Sequence, residues 1–77
     1  MNIKTNKFGE RLCFLRETAG MTQNSLALKL AVTRQSISLY ETGIRECSLD
    51  MVIKIAALFN VTTDYLLGVS DDFHNQK

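Results

Sequence analysis

The sequence predicts an all-α fold of five short helices, and three observations carry that prediction. Apolar residues recur at intervals of three and four, the period of a helix that buries one face. A threonine or serine, both favoured N-cap residues, precedes each of the last four apolar stretches. No proline occurs, so glycines and capping residues must set the helix ends. A chain of 77 residues is expected to form one small domain with a single core.

The first helix is expected from about Lys7 to Ala19, with Gly20 closing it in a left-handed conformation. The second is expected to follow the N-cap Thr22 and to end after about eight residues. Both carry an apolar side that predicts packing against the rest of the domain. The residues on these sides are Phe8, Leu12 and Leu15 in the first helix and Leu26, Ala27 and Leu30 in the second.

The third helix is expected over Arg34–Glu41, with Thr33 as its N-cap. Its apolar side has little more than Ile37 and Tyr40, which lie one turn apart. Only residues 31–32 separate it from the second helix. So short a connection leaves no room for antiparallel packing, and the two helices are expected to cross steeply.

Ser48 is the expected N-cap of a fourth helix over Leu49–Phe59, and either Thr62 or Thr63 caps a fifth that ends at Gly68. The polar residues that follow the fifth helix are expected to be frayed unless Val69 and Phe73 dock on the domain. The fourth helix buries the side formed by Val52, Ile55, Ala56 and Phe59.

Charge is unevenly distributed along the chain. Residues 1–45 carry seven basic and three acidic side chains, whereas residues 46–77 carry two basic and five acidic ones. The formal charges of these parts are therefore +4 and −3, although the whole chain is only +1. A polyanion is expected to prefer the N-terminal half, and an accidental asymmetry stays open at such small counts.

Several classes of protein do not fit this sequence. Cys13 and Cys47 lie 34 positions apart, without the spacing of a zinc or redox site, and are expected to be free thiols in a cytoplasmic protein. The start "MNIKTNKF" lacks the apolar segment of a signal peptide, and "IAALF" is too short to span a membrane. The single histidine, His74, and the absence of a phosphate-binding glycine loop argue against an enzyme, a metal site or a bound cofactor.

The polar side of the third helix is the most informative feature. A helix that meets its domain through two apolar residues presents the others outward, on a width suited to the DNA major groove. Arginine can bind guanine O6 and N7 with two hydrogen bonds, glutamine can do the same with adenine N6 and N7, and leucine can pack on a thymine methyl group. The outward residues are Arg34, Gln35, Ser36, Ser38 and Leu39.

Residues 8–68 resemble the compact five-helix, lambda-repressor-like helix-turn-helix domain of the phage Cro and repressor (Xre) family. The resemblance is carried by "LCFLRETAGMTQNSLALKLAVTRQSISLYETG" and "SLDMVIKIAALFNVTTDYLLG". The matching positions are Thr22 and Gln23, Ala27, Ile37, and Glu41 with Gly43. Residues 1–7 are then an N-terminal arm and residues 69–77 a polar tail. Ala31 departs from the family's usual glycine, at a cost of roughly 1 kcal/mol in a left-handed conformation.

The resemblance also implies roles for individual residues. Gln23 corresponds to a clamp that binds a phosphate and braces the recognition helix. The backbone amides of Thr42 and Gly43 correspond to phosphate contacts, to which Arg45 would add a charge. Arg16 and Glu41 correspond to a structural ion pair, although a phosphate contact by Arg16 stays open. Arg34, Gln35, Ser38 and Leu39 correspond to positions that reach base edges. Ser36 would contact either the DNA backbone or a base, and Thr33 is included in the DNA-binding set.

The implied function is sequence-specific binding of double-stranded DNA by a homodimeric transcriptional regulator, with a repressor on a palindromic operator as the expected form. The alternative is an antitoxin or another protein-interaction module with the same fold. Phe14 is expected either to pack on the N-terminal arm or to contact a partner. Exposed Phe14, Leu28, Leu39 and Ile44 favour a protein partner. The candidate dimer residues are Val61, Tyr65, Leu66, Val69 and Phe73, with the alternative that Leu66 and Leu67 complete the core.

Overall fold

The computed structural model describes residues 7–71. It contains five helices in the predicted order, and no strand occurs within that range. The first helix ends one residue earlier than expected and the third ends one residue later. The helices are α1 (Lys7–Thr18), α2 (Gln23–Leu30), α3 (Arg34–Thr42), α4 (Leu49–Phe59) and α5 (Thr63–Leu67).

Hydroxyl caps fix the starts of the last four helices. In each, the cap oxygen accepts a hydrogen bond from the backbone N–H three residues further on, at 2.9 to 3.1 Å. One such cap stabilises a helix by about 0.5 to 2 kcal/mol. The caps are Thr22, Thr33, Ser48 and Thr62, which decides between the two threonines considered for α5.

The core draws on every helix. Phe8, Leu15 and Phe59, which were also expected to face inward, are partly buried against it. Val61 and Tyr65 were expected to be available for a dimer contact, and this was wrong, because their side chains are buried within the domain. Leu66 is also buried, which confirms the alternative that it completes the core, whereas Leu67 is 44% exposed. Phe73, the last residue of that predicted set, lies outside the described residues. The buried apolar residues are Leu12, Leu26, Ala27, Leu30, Ile37, Tyr40, Val52, Ile55, Ala56, Val61, Tyr65 and Leu66.

The turn between α2 and α3 keeps its left-handed residue although glycine is absent. Ala31 has φ 60° and ψ 42°, and its N–H donates to the carbonyls of Ala27 and Leu28. Val32 N–H also donates to Ala27 O, at 3.0 Å. Lys54 Nζ donates to Leu30 O at 3.2 Å, so a cation from α4 meets the negative end of α2.

Ala31→Gly is expected to raise the free energy of unfolding by about 0.5 to 1 kcal/mol. Glycine removes the strain of the left-handed conformation, and the greater conformational entropy of glycine in the unfolded chain offsets part of this stabilisation. Asn60→Gly is the matched control, since Asn60 closes α4 at φ 56° and asparagine tolerates that conformation better. Chemical denaturation of both variants measures the difference. An equal or larger gain at position 60 would show that strain at Ala31 is negligible.

Arg11 holds the segment after α5 against α1. Its Nη1 donates to the carbonyls of Tyr65 and Ser70, both at 2.6 Å, and its Nη2 lies 2.7 Å from Asp71 Oδ1. The guanidinium also stacks 4.3 Å from the centre of the Tyr65 ring. Residues 69–71 therefore follow the domain surface, although the Val69 side chain is exposed. His74 falls outside the described range.

Candidate nucleic-acid interface

Helix α3 is anchored on one side and open on the other. Ile37 is fully buried and Tyr40 nearly so, and the Tyr40 ring meets the Phe8 ring edge-on at a centroid distance of 6.5 Å. Arg34 and Gln35 are exposed, while Ser36 and Ser38 are half-buried. None of the expected outward residues lies in the core, so the polar side of α3 is accessible to a ligand.

Leu39 was expected to be exposed, and it is half-buried instead. Residues 43–45 also fold back along the end of α3. The N–H groups of Ile44 and Arg45 both donate to Leu39 O, at 3.1 and 3.3 Å. Leu39 therefore offers part of its side chain for contact with a base, and its contribution to a protein-binding patch is smaller than predicted.

The loop after α3 carries Arg45 back to the start of that helix. Arg45 Nη1 donates to Ser36 Oγ at 3.0 Å, and the hydroxyls of Ser36 and Thr33 are 2.9 Å apart. The family resemblance implied that Arg45 adds its charge to the phosphate contacts of Thr42 and Gly43, at the C-terminal end of α3. Its charged group instead lies beside the first turn of α3, where Arg34 is also exposed. The Arg45 guanidinium and the exposed residue Arg34 therefore lie at the same end of the helix.

At the C-terminal end of α3, the hydrogen-bond donors of the last residues bind carbonyls of the same helix. Thr42 is the last helical residue, and its hydroxyl donates to the carbonyls of Ser38 and Leu39 at 3.0 and 3.2 Å. Gly43 follows at φ 81°, and its N–H donates to the carbonyls of Leu39 and Tyr40. The Gly43 amide, for which the resemblance implies a phosphate contact, thus has its hydrogen shared between two carbonyls of α3.

Gln23 connects the start of α2 to the end of α3. Its Nε2 donates to Glu41 Oε1 at 3.1 Å, so the carboxamide braces α3. A carboxamide nitrogen carries two hydrogens, and the second is the group that would donate to a phosphate oxygen. The position of Gln23 at the N-terminal end of α2 adds a favourable field for an anion.

Arg16 and Glu41 form a paired, hydrogen-bonded contact between α1 and α3. Arg16 Nε lies 2.6 Å from Glu41 Oε2, and Arg16 Nη2 lies 3.2 Å from Glu41 Oε1. The side chains are only 11% and 7% exposed. Arg16 Nη1 also donates to Met21 O at 2.9 Å. The hydrogen bond that Arg16 donates to Glu41 raises the pKa of Arg16, against the opposing effect of burial. Each nitrogen of this guanidinium donates a hydrogen bond inside the domain, which favours its structural role over a phosphate contact.

The two cysteines are free and partly buried. Burial raises the pKa of Cys47 to about 11. Burial also raises the pKa of Cys13, and the negative charge of Glu41 acts in the same direction. Both thiols therefore stay protonated at neutral pH, the opposite of an activated nucleophile.

Within residues 7–71, no group of histidine, cysteine and carboxylate side chains is arranged to hold a metal ion. Over the same range, no helix combines the length and the apolar character needed to cross a bilayer, and α1, the longest, has 12 residues.

Comparison with known proteins agrees with this geometry. The HTH_3 helix-turn-helix family model matches residues 14–66, which extend from α1 into α5. The chain is 43% identical over 60 residues to the HTH-type transcriptional regulator ImmR of Bacillus subtilis, covering 78% of this chain and 47% of that protein. It is 40% identical over 60 residues to an uncharacterised SPbeta prophage-derived HTH-type transcriptional regulator of the same organism, covering 78% and 56%.

An archaeal protein is similar over almost its whole length. The chain is 37% identical over 62 residues to an uncharacterised HTH-type transcriptional regulator of Methanocaldococcus jannaschii, covering 80% of this chain and 94% of that protein. By contrast, the chain spans about half the length of the Bacillus relatives. The shared region is the helical domain itself.

Proposed function

The chain belongs to the HTH_3 helix-turn-helix family, and on that premise we propose that it is a DNA-binding transcriptional repressor that recognises a palindromic operator as a homodimer. DNA binding and transcriptional regulation follow from the family, whereas repression, the dimer and the operator symmetry are the proposal. We place its action in the cytoplasm, with DNA as the ligand and no cofactor.

The observation that carries the proposal is the two-sided character of α3. Ile37 and Tyr40 fix the helix to the core, and Arg34 and Gln35 remain exposed on its first turn. These are the side chains that bind guanine and adenine with paired hydrogen bonds, each worth about 1 to 3 kcal/mol of discrimination. Ser38 and the accessible part of Leu39 would complete the base-reading set.

Several residues around α3 would position the helix on the backbone rather than read bases. Gln23 and Arg45 are the main candidates, since each presents a donor beside α3. The hydroxyls of Thr33, Ser36 and Thr42 lie along the same helix, and Gly43 allows the chain to turn there. Such contacts strengthen binding to all sequences and make it depend on salt.

A dimer follows from the small size of this reading surface. One short helix spans about four or five base pairs, and two copies on one face of the duplex must present their helices about 34 to 36 Å apart. The domain measures 36 × 30 × 22 Å along its principal axes. Two domains placed side by side are therefore of the right width for successive major grooves.

Selection of bound duplexes from a random DNA pool tests this function. We expect enrichment of inverted repeats whose half-site centres lie about 10 base pairs apart, with dissociation constants of about 10⁻⁸ to 10⁻¹¹ M at physiological salt. Affinity should fall steeply as salt is raised. Enrichment of no sequence, or of asymmetric sites bound by one copy, would contradict the proposed operator.

A protein-binding module remains the second candidate, because Phe14, Leu28 and Ile44 are all exposed. An antitoxin would combine this role with DNA binding. Phe14 was also considered for packing on the N-terminal arm, which lies outside the described residues. Weak, salt-insensitive binding to any duplex in the same selection would favour this alternative.

A further inference from the structure

We propose that the exposed apolar stripe of α4 is the dimer surface and that its occupant is the same stripe of a second copy, packed antiparallel. The stripe consists of Leu49, Ile53 and Ala57. The inference rests on the proposed function, which requires a homodimer. It names a surface other than the predicted one, of which Val61, Tyr65 and Leu66 are buried and Val69 is exposed.

The stripe is distinct from the side of α4 that forms the core. Val52, Ile55 and Ala56 are buried, whereas Leu49 is 71% and Ile53 55% exposed. The three stripe residues are spaced four apart, so each is rotated by about 40° from the one before. They form one continuous apolar row. The small side chain of Ala57, at the C-terminal end of the row, allows the backbone of another helix to approach closely.

Charges beside the stripe identify a second copy as the partner. Asp50 and Lys54 are both exposed and lie one turn apart on the same flank of the stripe. A two-fold axis that pairs α4 with its antiparallel copy keeps this flank on the same side in both protomers. Asp50 of each protomer then lies opposite Lys54 of its partner, and two ion pairs form together.

The antiparallel arrangement also opposes the two helix dipoles, since the N-terminal end of each α4 meets the C-terminal end of the other. Lys54 can serve both contacts, because its ammonium group has three hydrogens and Leu30 O accepts one of them. A parallel arrangement would instead place like charges together. The charge pattern therefore favours an isologous contact over an unrelated apolar ligand.

The contact is small, because each copy contributes three apolar residues. Interfaces of this size are weak without further support. We therefore expect a reversible dimer in free solution that becomes stronger on the operator, where both copies are held by DNA. Dimer formation and base recognition can therefore be measured separately, since a monomer keeps α3 intact and can still bind one half-site.

The test uses the full chain in sedimentation-velocity experiments over a range of concentrations, with and without a palindromic operator. Ile53→Glu should weaken self-association at least tenfold, because it places two like charges near the two-fold axis. Leu28→Glu is the matched control, since Leu28 is an exposed apolar residue on α2. Thermal melting of each variant monitors folding, and binding to an isolated half-site should remain close to that of the wild type.

A charge exchange gives a second test. Asp50→Lys should weaken the dimer, and the double variant Asp50→Lys with Lys54→Asp should restore it. The single variant Lys54→Asp is melted alongside, because it also removes the contact of Lys54 with Leu30 O. Unchanged self-association in Ile53→Glu, or an equal loss in Leu28→Glu, would overturn the proposed surface. A wild-type chain that binds a palindrome only as separate monomers would also overturn it. If the wild-type chain does not bind an isolated half-site, the proposed function itself is contradicted.

Discussion

Replacing Glu41 with alanine is expected to lower the free energy of unfolding by about 3 to 5 kcal/mol, because the change leaves the buried Arg16 guanidinium without its charge partner. Glu41 accepts hydrogen bonds from Arg16 Nε and Nη2 and from Gln23 Nε2. Its removal therefore affects α1, α2 and α3 together. Chemical denaturation of the variant measures the loss.

A double-mutant cycle separates the pair from its surroundings. The combined variant Arg16→Met with Glu41→Ala should be less destabilised than the sum of the two single changes, since no charge is then left buried. Asp71→Ala is the matched control, because Asp71 is 94% exposed and pairs with Arg11 at the surface. Its effect should be about 0 to 1 kcal/mol. Additive losses for Arg16 and Glu41 would refute the assigned structural role.

The helices themselves were predictable because their signals are local. The hydroxyl caps and the apolar spacing within each helix depend on residues at most a few positions apart. Ile37 and Tyr40 were correctly predicted to be the inward side of α3. The same approach failed for Tyr65 and left Leu66 undecided, because α5 has only five residues and its short pattern does not define which side meets the core. It also failed for Val61, which lies in the connection before α5 and has no helical pattern of its own.

The polar contacts of the site required the three-dimensional path of the chain. Arg11 binds backbone carbonyls 54 and 59 residues away, and backbone carbonyls carry no residue-specific signal. The return of Arg45 to Ser36 depends on the fold of residues 43–45. The pairing of Arg16 with Glu41 was inferred from family resemblance, since neither residue alone indicates a partner 25 positions away.

Arg34→Ala is expected to abolish base preference at one position of each half-site and to reduce operator affinity. One lost arginine–guanine pair costs about 1 to 3 kcal/mol, so a dimer that loses two should bind more weakly by about 2 to 6 kcal/mol. Binding to unrelated duplexes should change far less. Titration of a labelled operator and of a base-substituted operator measures both effects.

Arg45→Ala is the charge-matched control for Arg34→Ala, because both arginines are exposed near the first turn of α3 and both changes remove one positive charge. If Arg45 binds phosphate, its loss should weaken all sequences equally and lower the salt slope by about 1 per protomer. Gln23→Ala should also weaken all sequences alike. A change of preferred bases in Arg45→Ala would transfer the reading role to Arg45.

Gln35→Ala is the sharpest test of α3 as the reading helix, because this side chain is exposed, uncharged and without a structural role that its removal would disturb. The variant should keep the stability and the salt dependence of the wild type. It should lose adenine preference at one position, at a cost of about 1 to 3 kcal/mol per half-site. Since neither folding nor general electrostatics changes, altered preference can arise only from contact with a base. An unchanged preferred operator, bound with unchanged affinity, would mean that another surface reads the DNA.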